Sequence, residues 1–310
     1  MPSLDFLIWL EQFRSGLTNA IFIAASGLGS EEAYMALLTT IYLCVGHRFG
    51  FHLFIMFLAS AYSNAQLKVI FSTPRPYALY PDQLNPLYAG SGEGGAFPSG
   101  HAQNAAVVWG VVSIRLRSRR LRAAILALVA LIAFSRLYVQ VHWPLDVGGG
   151  LLIGFVLVIL YLAVIGAWTA GNRRVTRTQW AVLVVAVAAL VHLLGYGEET
   201  CLRSAGAFLG SALGFLLLEG RGFKPAAPPL TQVLKVIVAL AVLFGVKTGG
   251  KLLLGEAAWA ISLSYALIGF TAAYLLPVLF TQFHAWRSRL GAPRQVASER
   301  PPRSQYGAEQ

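Results

Sequence analysis

Charge is what this sequence has least of. Asp, Glu, Lys and Arg make up only 12% of the 310 residues, against about a quarter in an ordinary soluble domain, which excludes one large water-soluble globule. Cysteine is nearly absent too. Cys44 and Cys201 are the two; one is expected near the cytoplasmic end of a span and the other near the outer face. They therefore do not bridge, and cysteine offers neither a disulfide framework nor a metal site. A basic lead before the first apolar run is missing, and Asp5 stands inside that run, so no cleavable signal is read. Acidic residues number 13 against 24 basic, a net charge of +11. The basic residues fall in short connections between apolar runs and in the tail, which is the pattern of membrane topology, and no nucleic-acid partner is expected.

Hydrophobic residues, by contrast, make up 56% of the chain, in runs as long as a bilayer is thick. Spans are expected at 31–47, 52–71, 100–114, 122–141, 146–167, 179–195, 203–219, 230–248 and 258–282. The fold class is all-α, a polytopic transmembrane helix bundle of about nine spans. Arginines gather in alternate connections: at Arg48, at 115–122, at Arg173, Arg174 and Arg177, at Arg221 with Lys224, and in the tail from Arg287 to Arg303. The positive-inside rule makes those connections cytoplasmic and turns 72–99 and 142–145 outward. Trp143, Trp168, Trp180, Trp259 and Trp286 mark span ends, as interfacial anchors do.

Residues 4–23 place Phe6, Leu10, Phe13, Leu17 and Ile21 at helical spacing among Asp5, Glu11 and Arg14. An amphipathic helix on the membrane surface is expected, since a first span there would bury two charges in lipid. Gly206, Gly210 and Gly214 recur every fourth position, a close-packing stripe for a neighbouring helix. The loop from Tyr77 to Ala96, with its glycine-rich stretch at 91–95, reads equally as a lid or as a plain connector. Lys247 and Lys251 read as interfacial lysines, and Glu198 and Glu199 as part of a solvated outer loop.

Three polar groups stand at outward ends of spans or in outward connections. They are Lys68 with Arg75-Pro76, then Pro98-Ser99-Gly100-His101, then Ser135-Arg136 with His142 and Asp146. All three can converge at one membrane face. Lys68, Arg75 and Arg136 supply fixed positive charge, and guanidinium forks match phosphate oxygens. Ser99 stands where a helix N-cap would stand, and Gly100 lets backbone approach a ligand, so unpaired N–H groups face a small volume that suits an anion. Asp146, four residues after His142, can fix one imidazole nitrogen and leave the other to attack phosphorus. His101 remains to protonate the leaving oxygen. Positive charge meets the transition state, and a phosphohistidine intermediate follows. His47, His52, His192 and His284 are read as structural, so no metal is expected.

Together the blocks Lys68-x6-Arg75-Pro76, Pro98-Ser99-Gly100-His101 and Ser135-Arg136-x5-His142-x3-Asp146 resemble the three-part signature of the type 2 phosphatidic acid phosphatase, or lipid phosphate phosphatase, superfamily, which includes vanadium haloperoxidases. The resemblance covers about residues 52–165. It implies a helical, metal-independent phosphatase needing no cofactor, with Lys68, Arg75, Ser99, Gly100 and Arg136 binding phosphate, His142 as nucleophile, Asp146 as its partner and His101 as acid. The expected divisions are an interfacial segment at 1–30, a six-span-like phosphatase core at 31–168, additional transmembrane helices of unknown role at 169–286, and a basic, disordered cytoplasmic tail at 287–310.

The expected substrate is a lipid phosphate or pyrophosphate: phosphatidate, phosphatidylglycerol phosphate, polyprenyl pyrophosphate or a sphingoid-base phosphate. The expected setting is the inner cell membrane with the site facing the periplasm, membrane lipids all around it and the C-terminus in the cytoplasm. A phosphotransferase using the same phosphohistidine is the nearest alternative. A lipid transporter or silent scaffold is the non-enzymatic one, although no catalytic group of the signature is missing. Vanadate peroxidase chemistry fits poorly with a membrane-embedded pocket.

Overall fold

The computed structural model describes residues 2–87, 94–170, 175–195 and 197–291, with side chains over residues 3–284 of these. Tyr88, the glycine-rich turn at 91–93, Arg173, Arg174 and the tail beyond 291 lie outside the described residues. Every regular element among the described residues is helical. In chain order they are α1 (Pro2–Glu11), α2 (Gly16–Gly27), α3 (Glu31–Thr40, continued as a π-turn over Ile41–Val45), α4 (His47–Phe71), α5 (Pro76–Leu79), α6 (Gly100–Arg115), α7 (Arg119–Tyr138), α8 (Pro144–Ala170), α9 (Arg177–Leu194), α10 (Glu199–Leu218), α11 (Pro229–Leu254), α12 (Ala258–Phe270, then a π-turn over Thr271–Leu275) and α13 (Leu276–Gly291).

Among the described residues, seven stretches are long and apolar enough to cross a bilayer, or eight if α2 and α3, bent by 59°, together form one broken span. Two of the nine expected spans fall outside the seven by length. Helix α6 has 16 residues, about 24 Å at ~1.5 Å per residue, short of the ~30 Å hydrocarbon core, although it still joins the connection 72–99 to the arginine-rich one at 115–122. Helix α3 with its π-turn, Glu31–Val45, is shorter again.

The single helix expected over 4–23 is also two helices, interrupted where Ser15 caps α2 by accepting from Thr18 N. Helix α1 turns its apolar stripe onto protein: Leu4, Leu7 and Leu10 are buried against Ala102, Ala133, Leu137 and Val147. Its backbone is held there by Gln140, whose Nε2 donates to Leu7 O at 3.0 Å.

Helices α4, α6, α7 and α8 build one half of the molecule. Glycine sets the α6–α8 distance: a Cβ on Gly150 would stand 2.5 Å from Ser99 O, and one on Gly154 would stand 2.7 Å from Gln103 O. The first turn of α8 is thereby drawn onto the start of α6, where Ser99 N donates to Asp146 O at 3.0 Å.

Helices α9 to α12 build the other half. The stripe at 206, 210 and 214 packs as expected, with Gly206 and Gly210 against the carbonyls of Ser262 and Ala266 on α12. Glu198 and Glu199, expected in a loop, instead begin α10; Glu198 caps it by accepting from Cys201 N at 3.0 Å. The seam between halves runs along α3 and α4. Tyr42 OH donates to Ala273 O at 2.8 Å, Tyr62 OH to Val191 O at 3.2 Å, and Arg48 forks onto Glu219 at 3.1 and 2.8 Å. Both cysteines are free.

Candidate functional site

The three polar groups meet at the ends of α4, α6, α7 and α8. Lys68 lies in the last turn of α4. Arg75 follows it, immediately before Pro76 opens α5. Its guanidinium is held by backbone carbonyls: Nε donates to Gly94 O at 3.0 Å, Nη2 to Gly95 O at 3.2 Å and Nη1 to Val141 O at 2.9 Å. Arg136 sits in the last turn of α7, fully buried, with Nη1 donating to Ser26 Oγ. A long cation fixed by the protein loses little further freedom when an anion arrives.

His142 and Asp146 are both buried, at 2% exposure each. Asp146 occupies the first turn of α8. Its Oδ2 accepts from Trp143 N at 2.8 Å and lies 3.4 Å from His142 Nδ1, close but not aligned as a hydrogen bond. The other imidazole nitrogen, Nε2, lies 3.3 Å from Arg75 Nη1. One nitrogen thus faces the carboxylate and the other faces the cations. Burial, followed by the charges of Arg75, Arg136, Lys68 and His101, holds the His142 imidazole well below its ordinary value of 6.5.

Ser99 stands at the N-cap position of α6 but makes no capping bond. Its hydroxyl is buried without a partner. A buried donor left unused in this way is costly unless a ligand completes it. Gly100 follows, and a Cβ there would stand 3.0 Å from Asn64 Oδ1. His101 packs its ring against Gly29, where a Cβ would meet Cδ2 at 2.7 Å. Lys68, Arg75, Ser99, Gly100, His101, Arg136, His142 and Asp146 therefore all lie around one site.

The structure adds residues that motif spacing did not single out. Ser26, in the last turn of α2, reaches Arg136, and Gly29, in the break before α3, packs against His101. Behind the Ser99–Gly100 turn lies a buried amide pair: Asn64 Nδ2 donates to Pro98 O at 3.2 Å and to Gln103 Oε1 at 2.9 Å. Gln103 Nε2 passes the chain on to Ser60 O at 2.9 Å and Ser63 Oγ at 3.1 Å. The available signal was that Asn64 and Gln103 are amides inside otherwise apolar runs. Among the described residues, no group of three or more His, Cys, Asp and Glu is placed to hold a metal ion.

A helical membrane protein with buried cations beside a His–Asp pair has the make-up expected of an integral membrane phosphatase. Residues 49–170 match the family described as the PAP2 superfamily. Residues 202–289 match the one described as PAP2 superfamily phosphatase, transmembrane extension. The chain belongs to the PAP2 superfamily and is a phosphatase of it that carries the transmembrane extension. A solved structure, that of Aquifex aeolicus LpxE, is similar at 27% identity over 53% of this chain and 96% of that one, with a TM-score of 0.47. No curated protein matches the chain.

Proposed function

We propose that this phosphatase hydrolyses a phosphate monoester or pyrophosphate of a lipid at the outer membrane face, through a phosphohistidine. The observation that carries the reading is the orientation of His142, with Nδ1 toward Asp146 at 3.4 Å and Nε2 toward Arg75 at 3.3 Å. In this reading the phosphoryl group sits among Arg75, Lys68, Arg136, the Ser99 hydroxyl and the N–H groups opening α6. His142 Nε2 attacks phosphorus, the P–O bond to the lipid breaks, and His101 delivers its proton to the departing oxygen. His101 then takes a proton from water, which attacks the phosphohistidine and returns His142 and inorganic phosphate. Asp146 holds the imidazole tautomer throughout.

A lipid substrate follows from depth. The site lies at the ends of membrane helices, where a headgroup phosphate can enter from the bilayer. Phosphatidate, phosphatidylglycerol phosphate, polyprenyl pyrophosphate and sphingoid-base phosphate share the required chemistry. The outward orientation rests on the arginine-rich connections being cytoplasmic. Trapping by an alkaline detergent quench after mixing with a radiolabelled lipid phosphate tests the intermediate. An alkali-stable, acid-labile phosphoryl adduct is expected on the wild-type protein and its complete loss in His142→Ala; an adduct that persists without His142 contradicts the reading.

A further inference from the structure

Between the catalytic half and the extension lies a cavity of about 270 Å³. Gly100 and His101 line one end of it, so it shares two residues with the candidate phosphate site. From there it runs along α4 from Ala61 to Gly50, roughly 16 Å at ~1.5 Å per residue. This is about half of a ~30 Å hydrocarbon core, the depth of one leaflet. Phe54 and Leu58 of α4 face Leu243 and Ile268 of the extension across it.

Charge is confined to the mouth. There Glu31 lies 3.6 Å from Arg203 Nη1 and 3.8 Å from Lys247 Nζ. Inward of Glu31, Arg203 and His101 the lining holds no charged residue among those described. A cavity with charges at headgroup level, an apolar shaft one leaflet deep and the candidate acid at its head has the form of a lipid.

We propose that this cavity holds one acyl or alkyl chain of the substrate, which makes the extension a wall of the binding site and chain length a determinant of turnover. The proposal rests on the reading above that the substrate is a lipid phosphate. Moving a chain from the bilayer into an apolar cavity gains little by itself, because lipid is as apolar as the wall. The gain is positional. A chain seated between α4 and α12 fixes its phosphate in front of His142, so binding far from phosphorus is expressed in the rate.

The test compares butyl phosphate with hexadecyl phosphate as substrates of the full-length protein in nanodiscs. Ala61→Phe and Ala272→Phe place an aromatic ring in the cavity from either side, and Leu160→Phe on the lipid-exposed surface of α8 serves as control. The long-to-short ratio of kcat/KM is expected to fall roughly tenfold or more in both filled variants and to stay at the wild-type value in the control. A wild-type ratio in the filled variants overturns the proposal.

Wild-type protein gives a second readout that needs no turnover and no altered fold: photolabelling by a hexadecyl phosphonate with a diazirine at the tail end. Adducts at 39–51 or 265–273 support the cavity, and adducts confined to α7, α8 and α9 overturn it. If the wild type hydrolyses neither phosphate, the lipid-phosphatase reading fails instead, and the labelling still decides whether a chain occupies the cavity.

Discussion

At the scale of single residues, Ser99 and His142 separate a binding role from a structural one. The Ser99 hydroxyl is buried and makes no bond in the protein, so Ser99→Ala removes a group that only a ligand would use. Kcat is expected to fall about 10²-fold, while the thermal midpoint is unchanged or raised, as calorimetry or a fluorescence melt would show. For His142, burial and then the neighbouring Arg75, Arg136, Lys68 and His101 depress the imidazole. The unfolded chain takes up a proton near pH 6.5 that the folded state resists. This histidine's contribution to stability is therefore intact above pH 6.5 and is lost as pH falls from there toward the depressed folded value. The same shift keeps the nucleophile deprotonated, so the acid limb of the kcat/KM profile belongs below pH 6.5. A limb at or above that value contradicts the assignment. That the three motif blocks come together was legible in the sequence, because the arginine-rich connections put 72–99 and 142–145 on one face. Ser26 was not legible, since it meets Arg136, 110 residues away, only where α2 packs on α7, which no local spacing encodes.

Among elements, helix contacts are set by where a side chain is forbidden. Gly148 and Gly150 stand two positions apart in sequence, yet a Cβ on Gly148 meets nothing within 4 Å, while one on Gly150 meets Ser99 O at 2.5 Å. Gly150→Ala is expected to push α8 from α6, costing about 1–3 kcal/mol and lowering activity with it, because Asp146 and Ser99 are joined across that contact. Gly148→Ala is expected to be neutral or slightly stabilising, as thermal unfolding in one detergent would show for both. Existence and order of the helices from residue 31 onward could be read from apolar periodicity. Helix α6 was read with nearly its own bounds, 100–114 against Gly100–Arg115, and only its length of 16 residues keeps it out of the count of full spans. The N-terminal pattern was amphipathic as read, but amphipathicity names an apolar face without naming what covers it. Of the face as read, Leu10 is covered by protein together with Leu4 and Leu7, while Phe13, Leu17 and Ile21 are exposed.

For the whole molecule, the extension packs along α3 and α4 through Tyr42, Tyr62 and Arg48, so the two matched families form one structure and not a string of independent modules. The proposed membrane orientation rests on the arginine distribution and has its own test. Asp82→Cys, beside the site, is expected to react with a membrane-impermeant maleimide in intact cells. Arg117→Cys, between α6 and α7, is expected to react only after permeabilisation; the reverse pattern would place the site on the cytoplasmic face. The native cysteines interfere little, since Cys201 is buried and Cys44 half-buried. The most direct measurement of the central claim is phosphate release by purified protein from a panel of lipid phosphates and pyrophosphates in EDTA, beside His142→Ala and Asp146→Ala. Release that survives EDTA, disappears in His142→Ala and falls by about 10²–10⁴-fold in Asp146→Ala is the predicted result. Release that needs a divalent metal, or that persists in His142→Ala, would contradict it.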